Sequence, residues 1–167
     1  LLYNNVYGIR ACALRLTNTY GPRMRVKDSR QTFLGIWIRN VIQGAPILVF
    51  GDGTQVRDFN YVDDAVDALM LAAVDAKSEG QVFNLGANEV ISLKDLAAKL
   101  VALHGSGSHR IVPFPPERKA IDIGDYYSDF TKIRDTLGWS PKVGLTEGLT
   151  RTLDYYNRNG QHYWASA

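Results

Sequence analysis

Short apolar runs alternate with stretches of helical period along almost the whole chain, and this alternation limits the fold more than any single residue does. Runs at 9–16 (IRACALRL), 47–50, 82–85 and 110–114 read as strands, each bounded by Gly, Pro or polar residues. Residues 1–7 read as the tail of a helix closed by Gly8. Phe33, Leu34, Trp37, Ile38, Val41 and Ile42 follow the helical period, and Gly44 ends that stretch. Ser92 caps a further helix, with Asp95 three residues on and a stripe of Leu93, Leu96, Ala97, Leu100 and Val101 that Gly105 stops. Helices at 129–137 and from Thr146 onward follow, the latter carrying Leu149, Thr152, Leu153 and Tyr156. Strands alternating with helices define an α/β class with a mainly parallel sheet. The 9–16 run is apolar enough to be a buried strand of such a sheet.

Within this pattern the stretch GDGTQVRDFNYVDD at 51–64 is the most specific. Gly-Asp-Gly makes a turn, because glycine takes positive φ at no steric cost. A β-rich run from Val56 to Tyr61 follows, with Arg57, Phe59 and Tyr61 on one face. Asp63 or Asp64 then caps a helix whose apolar residues are Val62, Ala65, Val66, Leu69, Met70 and Ala73. An arginine between aromatics suits a phosphate near an aromatic-lined pocket. Equally, Arg57 pairs with a carboxylate such as Asp58 and ties the turn down; the residues leave both readings open.

The 167 residues suffice for one domain with a real core. A net charge of +2, with no basic block, gives no argument for nucleic acid. No apolar run approaches a membrane span, so no membrane partner is expected. The three histidines have no metal-ligand spacing, and no metal is expected. The single cysteine, Cys12, reads as a buried, inert thiol, which fits a cytoplasmic location.

Ligands of α/β folds sit beyond the carboxyl ends of strands, which points to 17–20, to 84–87 and to the loops around Arg57. TNTYGPR at 17–23 reads as a loop, and 26–30 as a charged, solvent-exposed one. Asn18 and Asn84 can each donate to a ligand oxygen or simply close a turn. Arg118, Lys119 and Asp122 form a polar cluster in a Pro-rich loop, able to meet a phosphate and ribose hydroxyls or to be merely solvated. Leu48 and Phe50 share a strand face, and read as core more readily than as contacts to a base. No glycine-rich dinucleotide loop, Tyr-x-x-x-Lys, Ser-His-Asp or Cys-His arrangement occurs in these residues, so none is expected to be catalytic.

Five ordered segments carry a resemblance: LRLTNTYGPR at 14–23, PILVFGDGTQVRDFNYVDDAVDAL at 46–69, VFNLG at 82–86, SDFTKIRDTLGW at 128–139 and EGLTRTLDYY at 147–156. Together they resemble the carboxyl-terminal half of an extended short-chain dehydrogenase/reductase of the sugar-nucleotide epimerase/dehydratase family. The resemblance implies a Rossmann-type fold with a substrate-binding subdomain, with 1–167 forming that carboxyl-terminal half. It implies NAD or NADP as cofactor of the whole protein and a nucleoside-diphosphate sugar as substrate. It also implies a homo-oligomer, since family members are commonly dimers. The expected activity is that of a 4-epimerase of the UDP-glucose type. A 4,6-dehydratase, a decarboxylase and a reductase are alternatives, and so is a non-catalytic nucleotide-binding fragment.

By resemblance, Asn18 holds the diphosphate or sugar, and Phe33 and Leu34 pass near the nucleotide. Leu48 and Phe50 flank the base, Arg57 binds the diphosphate, and Asn84 lines the substrate site. Leu16 and Tyr20 lie near the nicotinamide. Many relatives carry Arg-x-Gly-Asp where this chain has Lys119-Ala120-Ile121-Asp122. Asp122 matches, but a lysine grips phosphate as a point charge rather than as a fork. The family's amino-terminal half holds the glycine-rich cofactor loop and the Tyr-x-x-x-Lys pair. The chain therefore resembles a truncated one, for which the missing amino-terminal half is a partner. It is expected to lack turnover and NAD retention by itself, and to self-associate through an uncovered strand edge.

Overall fold

A computed structural model describes residues 2–28 and 32–164, and the alternation appears in it as fifteen labelled elements. In chain order these are α1 (Leu2–Tyr7), β1 (Ala13–Arg15), β2 (Asn18–Tyr20), α2 (Phe33–Ile42), β3 (Ile47–Phe50), β4 (Val56–Tyr61) and α3 (Val62–Val74). After a 3-10 turn at Ala76–Ser78 come β5 (Val82–Asn84), β6 (Val90–Ser92), α4 (Leu93–His104) and β7 (His109–Val112). The last elements are α5 (Pro116–Lys119), α6 (Thr131–Leu137), α7 (Leu145–Asn159) and α8 (Gln161–Trp164). β1 pairs in parallel with β5, and β3 in parallel with β7; β2, β4 and β6 form a third sheet in the order β2-β4-β6.

The chain divides into two compact units, each built from three separate segments. The first holds residues 1–19, 58–90 and 127–144; the second holds 20–57, 91–126 and 145–167. The chain changes unit five times, three times inside β2, β4 and β6 and twice between elements, at 126/127 and 144/145.

In the first unit, α3 turns its small residues inward. Ala65, Ala68 and Ala72 pack with Phe83, Leu85, Ile133, Leu137 and Trp139. This corrects the expected helical stripe: Val66, Leu69 and Met70 are on the exposed side, at 48%, 47% and 63% exposure. Hydropathy alone does not select the packed face, which is the one that carries the alanines. Nor does Asp63 or Asp64 cap α3. Tyr61 occupies the cap without a side-chain bond, and both aspartates lie in the first turn, where they complement the helix dipole. Asp64 instead accepts from the Val143 amide at 3.0 Å. The strand expected over 9–16 is only three residues long and half exposed. Ile9 and Leu16 lie outside it, and Cys12 is half-buried rather than buried. No residue of α1 is buried.

The second unit has the larger closed core. α2, α4 and α7 pack around β3 and β7, burying Leu34, Ile38, Val41, Ile47, Val49, Leu96, Leu100, Leu149 and Tyr156. Gly35 is needed for this packing: a Cβ there would lie 2.1 Å from the Arg25 carbonyl oxygen. The expected exposed loop over 26–30 is corrected at Val26, which is buried; Arg30 lies outside the described residues. The loop expected over 17–23 contains β2, while Gly21-Pro22 lies outside it as proline requires. Ser92 caps α4 as expected, its hydroxyl accepting from the Asp95 amide at 3.2 Å.

Candidate functional site

The expected residues fall into two groups, one in each unit. In the second unit β3 and β4 frame a turn, where Gly51 and Gly53 both take positive φ. From β4, Arg57 reaches a loop that runs over 116–126. Its Nη1 donates to the carbonyls of Val56, at 2.8 Å, and Gly124. Its Nη2 lies 4.0 Å from Asp122 Oδ1. The guanidinium is 7% exposed as a residue, so it is a nearly buried charge that needs a partner. That partner is Asp122, not Asp58 as the simpler sequence reading had it.

Asp122 is itself surrounded by donors. Gln55 Nε2 donates to its Oδ2 at 2.7 Å, and Lys119 Nζ stands 3.6 Å from the same oxygen. The lysine also lies 5.1 Å above the Phe114 ring, whose centroid is 5.7 Å from that of Phe50. Phe50 and Leu48 form the less buried face of β3, opposite Ile47 and Val49 in the core. They are therefore not the core residues that the sequence suggested. Two backbone links pin the loop along β4: Val56 donates to Asp125 Oδ1 at 2.9 Å, and Tyr126 donates to the Val56 carbonyl at 3.1 Å.

In the first unit Asp58 organises the polar residues. Its Oδ2 accepts from the amides of Ala87 at 3.2 Å and Ser128 at 3.3 Å. Its carbonyl accepts from Asn18 Nδ2 at 3.0 Å. Asn60 Nδ2 donates to the Gly86 carbonyl at 2.9 Å. A Cβ on Gly86 would meet the Ser128 carbonyl oxygen at 2.7 Å, so only glycine fits this crossing. Burial pushes the Asp58 carboxyl above its ordinary pKa, against the two amides that pull it down. Asn84 is half-buried at the end of β5, and Leu16 is 43% exposed just beyond β1.

The structure thus brings together Arg57, Lys119, Asp122 and Phe50, with Leu48 on the same strand face as Phe50. It adds Gln55 and Phe114, which sequence reasoning missed, and in the first unit it gives Asp58, expected only as a partner of Arg57, a hold on Ala87 and Ser128. Gln55 was findable, since it lies just before β4 and two residues before Arg57. Leu34 is packed in the core of the second unit, and Phe33 lies against Trp37 at 4.9 Å between ring centroids. Tyr20 is buried too, its hydroxyl donating to the Leu145 carbonyl at 3.3 Å. A separate cleft of about 260 Å³ in the first unit is lined by Cys12, Ala72, Asp75 and Glu79 among others, and by none of the expected residues. Among the described residues there is no group of His, Cys, Asp and Glu fit for a metal, and no helix long and apolar enough to cross a membrane.

The fold is α/β of the Rossmann type seen in epimerases and dehydratases. The UDP-glucose 4-epimerase of Thermotoga maritima, solved with UDP-glucose, superposes with a TM-score of 0.80 at 31% identity, over 95% of this chain and 49% of that one. The family model "NAD dependent epimerase/dehydratase family" matches residues 1–86, and the chain belongs to that family. Its similarity extends to the UDP-glucose 4-epimerase of Mycolicibacterium smegmatis, 31% identical over 96% of this chain and 50% of the relative. It extends also to UDP-glucuronic acid decarboxylase 1 of Danio rerio, 33% identical over 96% and 37%. The chain spans half or less of the length of these curated relatives.

Proposed function

We propose that this chain is the carboxyl-terminal, substrate-binding portion of an NAD-dependent nucleoside-diphosphate-sugar epimerase. The observation that carries the reading is the nearly buried Arg57 guanidinium paired with Asp122, a carboxylate that Lys119 and Gln55 also hold, with the Phe50–Phe114 ring pair beneath Lys119. A planar fork with a second cation nearby suits a diphosphate, and the aromatic pair suits the flat face of a base. Asp122 supplies an acceptor for ribose hydroxyls. In the first unit, taken by itself, Asn18 and Asn84 carry side-chain amides at strand ends, and Asp58 accepts from the Ala87 amide. The relatives named above, an epimerase and a decarboxylase of UDP-sugars, support the substrate class.

The cofactor fits these residues poorly. Tyr20 is buried and its hydroxyl is engaged by Leu145, which leaves the exposed Leu16 as the one expected nicotinamide neighbour with surface to offer. The reading therefore gives this chain the sugar nucleotide and leaves NAD to the rest of a longer protein, together with the hydride chemistry that NAD supplies there. The missing half would also cover the exposed strand β1. The chain alone is expected to turn over no nucleotide sugar with added NAD.

The test is calorimetric titration with UDP. Arg57→Ala is expected to weaken binding at least about tenfold, the loss of a charge-assisted contact. Unchanged affinity would remove Arg57, and with it the diphosphate site.

A further inference from the structure

We propose that the Asp122 carboxylate is an internal substitute for the ligand's phosphate, and that residues 119–124 form a strap which the ligand releases. The proposal rests on the diphosphate reading of Arg57 and adds what happens when the ligand arrives.

Three observations carry it. Asp122 sits where an anion bound by Arg57 would sit, with one amide donor and two cations around it: Gln55 Nε2 at 2.7 Å, Lys119 Nζ at 3.6 Å and Arg57 Nη2 at 4.0 Å. Its side chain is 12% exposed, so the pair screens itself from water and each charge depends on the other. The Arg57 contact is Coulombic only, because 4.0 Å exceeds hydrogen-bond distance. A phosphate that accepted from Nη2 directly would make a shorter, stronger bond.

The strap is anchored unequally. Asp125 and Tyr126 are tied to the Val56 backbone, at 2.9 and 3.1 Å. Asp122 and Ile121 have weaker backbone links, each amide donating at 3.3 Å within their own turn, to Lys119 and Arg118. Loss of the carboxylate contact therefore frees the segment before Gly124 and leaves the segment after it in place. Asp122, displaced from Arg57, is then free to turn to a hydroxyl donor on the same ligand.

The test uses Asp122→Asn in the 167-residue chain, with inorganic pyrophosphate and UDP as probes in calorimetry. Removing the competing charge is expected to tighten pyrophosphate binding about tenfold, whereas loss of a merely structural contact would weaken it. Gln55→Ala loosens the carboxylate without altering charge and is expected to give a smaller gain of the same sign. In the unaltered chain, pyrophosphate is expected to speed hydrogen exchange at the Ile121 and Asp122 amides and to leave Tyr126 protected. Equal or weaker pyrophosphate binding in both variants overturns the strap, even if Arg57→Ala still abolishes UDP binding. Tighter pyrophosphate binding with no added affinity for UDP over pyrophosphate upholds the strap and overturns the nucleotide reading instead. No binding of either probe by any variant overturns both.

Discussion

The two units treat their apolar residues in opposite ways. In the second, the large side chains of α2, α4 and α7 face inward and close a core around β3 and β7. In the first, alanines face the strands while Val66, Leu69, Met70 and Val74 of α3 face out, beside an α1 with nothing buried. A helix apolar on two sides needs only one of them for its own unit. The lesson is that hydropathy in a sequence does not by itself say which apolar side chains a unit buries, since α3 carries them on both sides.

Paired truncations would break or sharpen this contrast. The largest effect is expected for Leu100→Ala on the core face of α4, which should cost about 3 kcal/mol in urea unfolding. The matching change on the outer face of α3, Leu69→Ala, should stay within about 0.5 kcal/mol. Equal costs would mean that the outer face of α3 is covered in solution.

A middle-sized effect is expected at Asp58, where the first unit buries a carboxylate. Its folded pKa is raised above the unfolded value near 3.8, so the folded state holds the proton more tightly. The contribution is therefore full below that value and fades as pH rises through the folded pKa. Unfolding followed upward from pH 4 should show this loss in the parent chain, and Asp58→Asn should flatten it. A profile that Asp58→Asn leaves unaltered would assign the pH dependence to other groups. A modest effect, above that of Leu69→Ala, belongs to the second unit's helix cap. Ser92→Ala should cost about 1 kcal/mol, read as a lower denaturation midpoint.

Much of this was legible before any coordinates. β3 and β4, the span of α2 and the capped start of α4 were readable because glycine turns, a serine cap and strict periodicity specify them locally. The short β2 and β6 were not, since three residues of strand carry no period. The face of α3 was misread because alanine and valine look alike to a hydropathy pattern, while only the alanine side lies in the core. Arg57, Lys119 and Asp122 could be named from their types and positions. The hold of Gln55 on Asp122 joins positions 67 residues apart, a closure that only the fold provides.

The threefold interleaving of the units has a consequence for synthesis on the ribosome. The first unit draws on residues up to 144, and the second on residues beyond that point. A nascent chain that has emerged through α4 holds neither α6 nor α7, and so has completed neither unit. Domains usually fold in the order of their synthesis, amino-terminal first. Here the order is compressed: both units stay half-built until the last third of the sequence emerges, the first closing at residue 144 and the second only beyond it.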